Sequence, residues 1–125
     1  MYILDITTRS LQVILSGAIA TTEPTWTVHY KKLSKAGVET HAPAMGLTTS
    51  GTAVTMIAAP AAGDKIFIES ITLHNSDSAS VTATVRINDN GTFRTLFKAT
   101  LATLETLVYE SGAGWLAYTT AGAIK

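Results

Sequence analysis

The sequence predicts an all-β chain, folded as an antiparallel β-sandwich of jelly-roll-like character with an N-terminal strand or arm region. Three observations carry this prediction. Val81, Ala83, Val85 and Ile87 alternate with Thr82, Thr84, Arg86 and Asn88, the period of two that marks a strand with one buried and one wet face. Asn88-Asp89-Asn90-Gly91 is a hairpin signal, because Asn-Gly accepts the positive φ values a tight turn demands. No window joins a 3.6-residue apolar period to helix-forming composition, and Thr, abundant throughout, prefers strands.

The elements follow in order. Tyr2 to Asp5 is a short β-prone piece that Thr7-Thr8-Arg9 interrupts. Leu11, Val13 and Leu15 alternate with Gln12, Ile14 and Ser16, a strand covered on both faces that ends at Gly17. Trp26, Val28 and Tyr30 alternate with Thr27, His29 and Lys31 after Pro24, whose missing N–H suits a strand entrance. From Ser34 to Gly51 the pattern fails among Gly37, Pro43, Gly46 and Gly51, so this stretch is expected to be a long connection with a weak strand near Val38–His41. Ala53–Ala58 resumes strand character, and Ala59-Pro60-Ala61-Ala62-Gly63 turns the chain. In Ile66–Asn75, Ile66 and Ile68 share one parity while Ile71 and Leu73 share the other. A β-bulge near Glu69-Ser70 reconciles them. Asn75-Ser76-Asp77-Ser78 is a turn, since these side chains bond their own nearby backbone. Phe93–Thr100 returns from the Asn90-Gly91 turn, and Ala99–Thr106 reads as a strand end and a turn. Leu107–Tyr109, Trp115–Tyr118 and a short Ala123-Ile124 complete about eight or nine strands.

A connection as long as Ser34–Gly51 is unusual inside a compact domain. The expected organisation is therefore 1–51 as N-terminal strands, arm and connection, and 52–125 as the sandwich core, forming one compact domain overall. At 125 residues the chain can bury a real core.

Only 14% of the residues are charged, against roughly a quarter in ordinary soluble domains. A surface of Thr, Ser and Ala costs less to desolvate than one of ammonium and carboxylate groups, which favours faces covered by other subunits. The formal net charge is +0, and Lys31, Lys32 and Lys35 form the one basic cluster, so binding driven by phosphate neutralisation is not expected. Cysteine is absent, no apolar run approaches the ~20 residues of a membrane helix, and Asp5 and Arg9 break any signal-peptide core. Neither nucleic acid nor membrane is an expected partner.

The residues that carry chemistry elsewhere form no reactive pattern here. His29, His41 and His74 lack metal-ligand spacing. Asn75, Asp77, Asn88, Asp89 and Asn90 offer oxygens for Ca²⁺ but lack the spacing and closing Glu of an EF-hand, and turn chemistry accounts for them. No Ser lies in a nucleophile elbow, and Glu105 and Glu110 stand as surface acids. No catalytic residue, metal or cofactor is expected. Trp26, Tyr30, Trp115 and Tyr118 are core or rim residues of a sandwich; on a flat exposed face they would instead mark a carbohydrate-binding module.

The stretch from Thr52 to Lys125 resembles a recurrent β-sandwich module in virion proteins of tailed bacteriophages. The resemblance rests on Thr52–Pro60, the strand ending at His74-Asn75, Val81–Asp89, Leu107–Glu110, and Gly112–Trp115 with Gly122 near the end. ILDITTRSLQVILSGAIATT is similar to the opening of such proteins, so the resemblance covers most of the chain. It departs at Leu104, where a common variant carries Gly or Pro-Gly before the Glu-Thr-Leu turn. The resemblance implies a non-enzymatic structural subunit, a capsid cement or decoration protein made in the bacterial cytoplasm and resident on the virion surface. Its partners would be the major capsid protein or other virion proteins, with a homotrimer as the expected oligomer. A tail, neck or baseplate accessory is the alternative role. The expected contacts are Tyr2, Ile3, Leu4, Leu11, Val13, Trp26 and Tyr30, on N-terminal strands (roughly Tyr2–Leu33) that pair with the sandwich core or extend onto a neighbour by strand addition.

Overall fold

The computed structural model describes residues 1–125. It holds ten strands and no helix: β1 (Tyr2–Leu4), β2 (Arg9–Leu15), β3 (Thr25–Leu33), β4 (Glu39–Leu47), β5 (Val54–Ile57), β6 (Lys65–His74), β7 (Val81–Asp89), β8 (Thr92–Leu101), β9 (Thr106–Glu110) and β10 (Gly114–Tyr118). They form two antiparallel sheets packed as a sandwich. The first runs β10-β9-β6-β3-β4, with β1 also paired to β6; the second runs β5-β2-β7-β8. One side of β6 is shared between two partners, since β1 takes Ile66–Ile68 and β9 takes Ser70–His74.

The division of β6 coincides with a bulge. Tyr30 pairs with Ile68 and His29 with Ser70, so Glu69 is the inserted residue. Ile66, Ile68, Ile71 and Leu73 are all buried in consequence, as the parity change in the sequence predicts. The β7–β8 hairpin closes through Asn90 (φ 51°) and Gly91 (φ 92°), two left-handed residues between the paired Asp89 and Thr92. Asn88 Oδ1 accepts the Gly91 N–H at 2.8 Å. A second bulge, at Leu96, lies in β8.

The core is a single cluster of 18 buried residues drawn from both sheets. The N-terminal strands are inside it. β2 lies between β5 and β7, β3 lies between β6 and β4, and Leu4, Leu11, Val13, Leu15, Trp26 and Val28 belong to the cluster. Residues 1–33 are thus woven through both layers with the later strands.

Three expectations need correction. The last strand expected at Ala123-Ile124 is a single bridge from Ile124 to Tyr118, and Glu105, expected as a surface acid, is buried under its bonds to Lys125 and Ala102. Ser34–Gly51 is not a structureless connection with a weak strand near Val38–His41. Glu39–Leu47 pairs with β3 along its whole length, from Leu33↔Glu39 to Thr25↔Leu47, and brings the count to ten strands. Its inward positions Ala42, Ala44 and Gly46 are small, so the alternation in the sequence has its bulky members on the outer face and does not mark a core strand. The small residues are needed because β4 rides over an indole. A Cβ on Gly46 would lie 2.7 Å from Trp26 Cζ2, while Trp26 Nε1 donates to the Leu47 carbonyl at 3.1 Å. Pro43 is tolerated because β4 is an edge strand with one unpaired side.

Candidate functional site

The seven expected contact residues separate into two groups. Leu4, Leu11, Val13 and Trp26 are buried in the chain's own core and present nothing to a neighbour. Tyr2 is half-buried, its hydroxyl accepting from Trp115 Nε1 at 2.9 Å and its ring packed on Tyr109. Tyr30 is half-buried at a pocket mouth, and Ile3 is 47% exposed. Of the seven, only Ile3 is exposed.

The outer faces of the two sheets differ in chemistry. Cross-strand register aligns Leu116, Val108, Thr72, Thr27 and Met45 in one row across the first sheet. The next row is Tyr118, Thr106, His74, Thr25 and Leu47. Ile3 pairs with Phe67 further along the same face. Met45 and Leu47 are 69% and 57% exposed. These two rows join exposed or half-buried apolar groups to hydroxyls, whereas the other half of the face carries the ion-paired Lys31, Glu39, His41 and Glu69. The second sheet turns outward Gln12, Thr82, Thr84, Arg86, Lys98 and Thr100, a hydroxyl and cationic face. Arg86 lies 3.7 Å above the Phe93 ring and donates to Gln12 Oε1 at 3.3 Å.

One end of the sandwich is organised by polar groups. The buried polar residues of the molecule, Thr48, Asn75, Asp77 and Glu105, all lie there. Asp77 accepts the N–H groups of Ala20, Thr21 and Thr22 at 2.8, 2.7 and 3.2 Å, together with the Thr21 hydroxyl at 3.0 Å. The bond from the Ala20 N–H is the largest influence holding its carboxyl far below the usual range; burial opposes it and the Thr21 and Thr22 donors add to it. Asn75 Nδ2 donates to the carbonyls of Ala79 and Leu101, and its Oδ1 accepts the Asp77 N–H. Glu23 takes the Thr48 hydroxyl at 2.6 Å and the Ser50 N–H at 2.8 Å. Burial pushes Glu23 up, but the Thr48 and Ser50 donors outweigh it and its carboxyl sits below the ordinary value. Glu105 is held low first by Lys125 and then by the Ala102 N–H. The loops 16–24, 48–53, 75–80 and 102–105 are thereby tied together with the last residue of the chain.

Leu104 occupies a left-handed conformation (φ 64°) in that cluster. It stands in the region where the resemblance places Gly or Pro-Gly, and glycine suits such a φ. Here the turn is held instead by Leu104 N–H to the Asn75 carbonyl at 2.8 Å and Glu105 N–H to the Ala102 carbonyl at 3.1 Å.

The remaining candidates stay apart. His29, His41 and His74 share the outer face of the first sheet, yet no three His, Asp or Glu side chains converge as a metal would require. His74 bonds the Thr106 hydroxyl, and His41 stands beside Glu39 and Glu69. Glu105 and Glu110 sit at opposite ends of the β9 segment, which separates them. Trp115 stacks on Phe97 at 5.1 Å, bridging the sheets, and Trp26 lies under β4. Neither tryptophan forms a flat exposed platform for a sugar. A pocket of about 250 Å³ opens beside β4 and β5, lined by Tyr30, Ala44, Met56, Pro60 and Ile66, with Lys32 at its wall. The Lys32 ammonium is engaged by Asp64 at 3.2 Å.

The sequence reading missed Met45 and Leu47 as surface groups, because they lie on the strand it took for a connection. The signal was present as His41, Pro43, Met45 and Leu47 alternating with Ala42, Ala44 and Gly46. No protein-family model, curated protein or solved structure matches this chain.

Proposed function

We propose that this chain is a structural subunit of a tailed-bacteriophage virion, a cement or decoration protein that seals against major capsid subunits. The observation that carries the reading is the outer face of the first sheet. One half of it is free of charged side chains and lined by Met45, Leu47, Val108 and Leu116 among hydroxyls; the other half carries Lys31, Glu39, His41 and Glu69, which pair with one another. The uncharged half loses little hydration when covered, and its apolar groups gain from burial. The resemblance of Thr52–Lys125 and of the N-terminal segment to virion modules supplies the setting. Strand addition by an N-terminal arm is not needed for this role, since the sheet face itself offers the contact. Copies arranged about a threefold axis of the shell would repeat that contact at each site.

The test is electron microscopy of phage particles carrying the labelled chain, beside a Met45→Glu/Leu47→Glu variant. The expected result is label on the shell lattice that the variant lowers at least tenfold, as two buried apolar contacts converted to charges require. Label confined to tail, neck or baseplate would move the protein there. Absence from all particle parts would overturn the virion reading.

A further inference from the structure

Exposed strands at sheet edges invite pairing by other chains, and this fold closes most of its edges. β1 and β5 are only three and four residues long. β4 carries Pro43 in its centre, which removes a main-chain donor. β10 is covered by the chain's own tail, where Lys125 N–H donates to the Ala117 carbonyl and Thr119 N–H to the Ala123 carbonyl, each at 2.8 Å.

β8 is the most open edge. It runs ten residues, contains no proline, has nothing paired on its far side, and is interrupted only by the bulge at Leu96. The orientation of its free groups follows from the ladder. The Thr82 carbonyl turns toward β2, where it accepts the Ser16 N–H at 2.9 Å, so its partner Thr100 turns its own main chain outward. Lys125 Nζ takes that outward carbonyl at 3.0 Å, and alternation leaves Lys98 facing out as well.

The charged side chains of this edge are all cationic. Arg94, paired across from Ile87, and Lys98, paired across from Thr84, flank the strand on its two faces, and neither forms a salt bridge. The hairpin's acid, Asp89, is held by Arg9 at 3.0 Å and by the Thr8 hydroxyl at 2.8 Å. A second copy laid antiparallel on β8 would set one cationic edge against another, a repulsive arrangement. An extended acidic segment meets the same edge with opposite charge.

We infer that β8 is a strand-addition site for an extended acidic segment of a different protein. Main-chain hydrogen bonds supply the pairing, and Arg94 and Lys98 select the charge. The inference needs only the free edge and its cations, and it stands whether or not the chain belongs to a virion.

The probe is a fluorescein-labelled peptide of alternating Val and Thr with interspersed Glu, titrated with the full-length chain and read by anisotropy. Three companions are the same peptide with Lys for Glu, and two Glu peptides N-methylated on one or the other alternate set of residues. Saturable binding of the Glu peptide is expected, about tenfold weaker for the Lys peptide and weakened by about 0.5 M NaCl. One methylated peptide keeps its affinity and the other loses it, because only one set of N–H groups faces the edge. Arg94→Glu/Lys98→Glu, both exposed positions, inverts the preference toward the Lys peptide while the NMR spectrum stays folded. No binding of the Glu peptide, equal binding of both charge forms, or indifference to both methylation patterns would each overturn the inference.

Discussion

The two ends of this sandwich solve the same problem differently. At the end that gathers loops 16–24, 48–53, 75–80 and 102–105, carboxylates and an amide are buried and reach between loops distant in sequence. Asp77 bonds residues 55 to 57 positions away. At the opposite end the chain reverses in tight turns, with Gly37, Asn90, Gly91 and Gly112 at positive φ. Cross-links there are fewer and wetter: Asp64 receives the Lys35 N–H and Lys32, and Asp89 receives Thr8 and Arg9. Local turn geometry suffices where connections are short. Long connections need a buried polar hub, since their main-chain donors have no ladder partner.

The sharpest way to break this contrast is Asp77→Ala. It orphans the N–H groups of Ala20, Thr21 and Thr22 at once. We expect the largest loss among these tests, about 10 °C or more in Tm by calorimetry. Asp89→Ala at the other end should cost much less, because water replaces its partners.

Acid should separate the ends next. Asp77, Glu23 and Glu105 are held below their ordinary values in the folded chain. A depressed folded value means stabilisation that is full above the unfolded value, near 4. It is lost as pH falls through the folded value. Asp64 and Asp89 are lowered too, the first mainly by the Lys35 N–H and the second mainly by the Thr8 hydroxyl. Stability should therefore fall steadily below about pH 4, followed by urea midpoints. Asp77→Asn should flatten the most acidic part of that curve. A native protein whose midpoint is constant down to pH 2 would contradict the hub.

The smallest effects compare two left-handed residues. Gly91→Ala at φ 92° should destabilise by about 1 kcal/mol. Leu104→Gly at φ 64° should stabilise by about 0.5 kcal/mol, the relief of strain being partly offset by the greater freedom of unfolded glycine. Denaturant curves of the two variants should shift in opposite directions.

Much of the fold was legible because it is written locally. The hairpin at Asn90-Gly91 and the parity switch around Glu69 each depend on neighbours in sequence, and both stand in the structure. β4 was not legible, because a strand that must clear Trp26 carries Ala and Gly where apolar bulk would have marked it. The contact residues failed for another reason. Alternation identifies a face that will be covered, but not whether the cover is the chain's own second sheet or a neighbour's. Leu11 and Val13 are sealed by the former. The hub was half legible: Asn75-Ser76-Asp77-Ser78 turns as expected, with the Asp77 N–H on Asn75 Oδ1, but the partners in loop 16–24 lie too far along the chain for a local rule.

The placement of the two indoles gives the molecule a pair of built-in optical reporters. Trp115 is sandwiched against Phe97 from the opposite layer, so its emission tracks separation of the layers. Trp26 is roofed by Gly46 and bonded to Leu47, so its emission also responds when the edge strand peels away. Replacing one indole at a time would let fluorescence distinguish fraying from collapse without any added label.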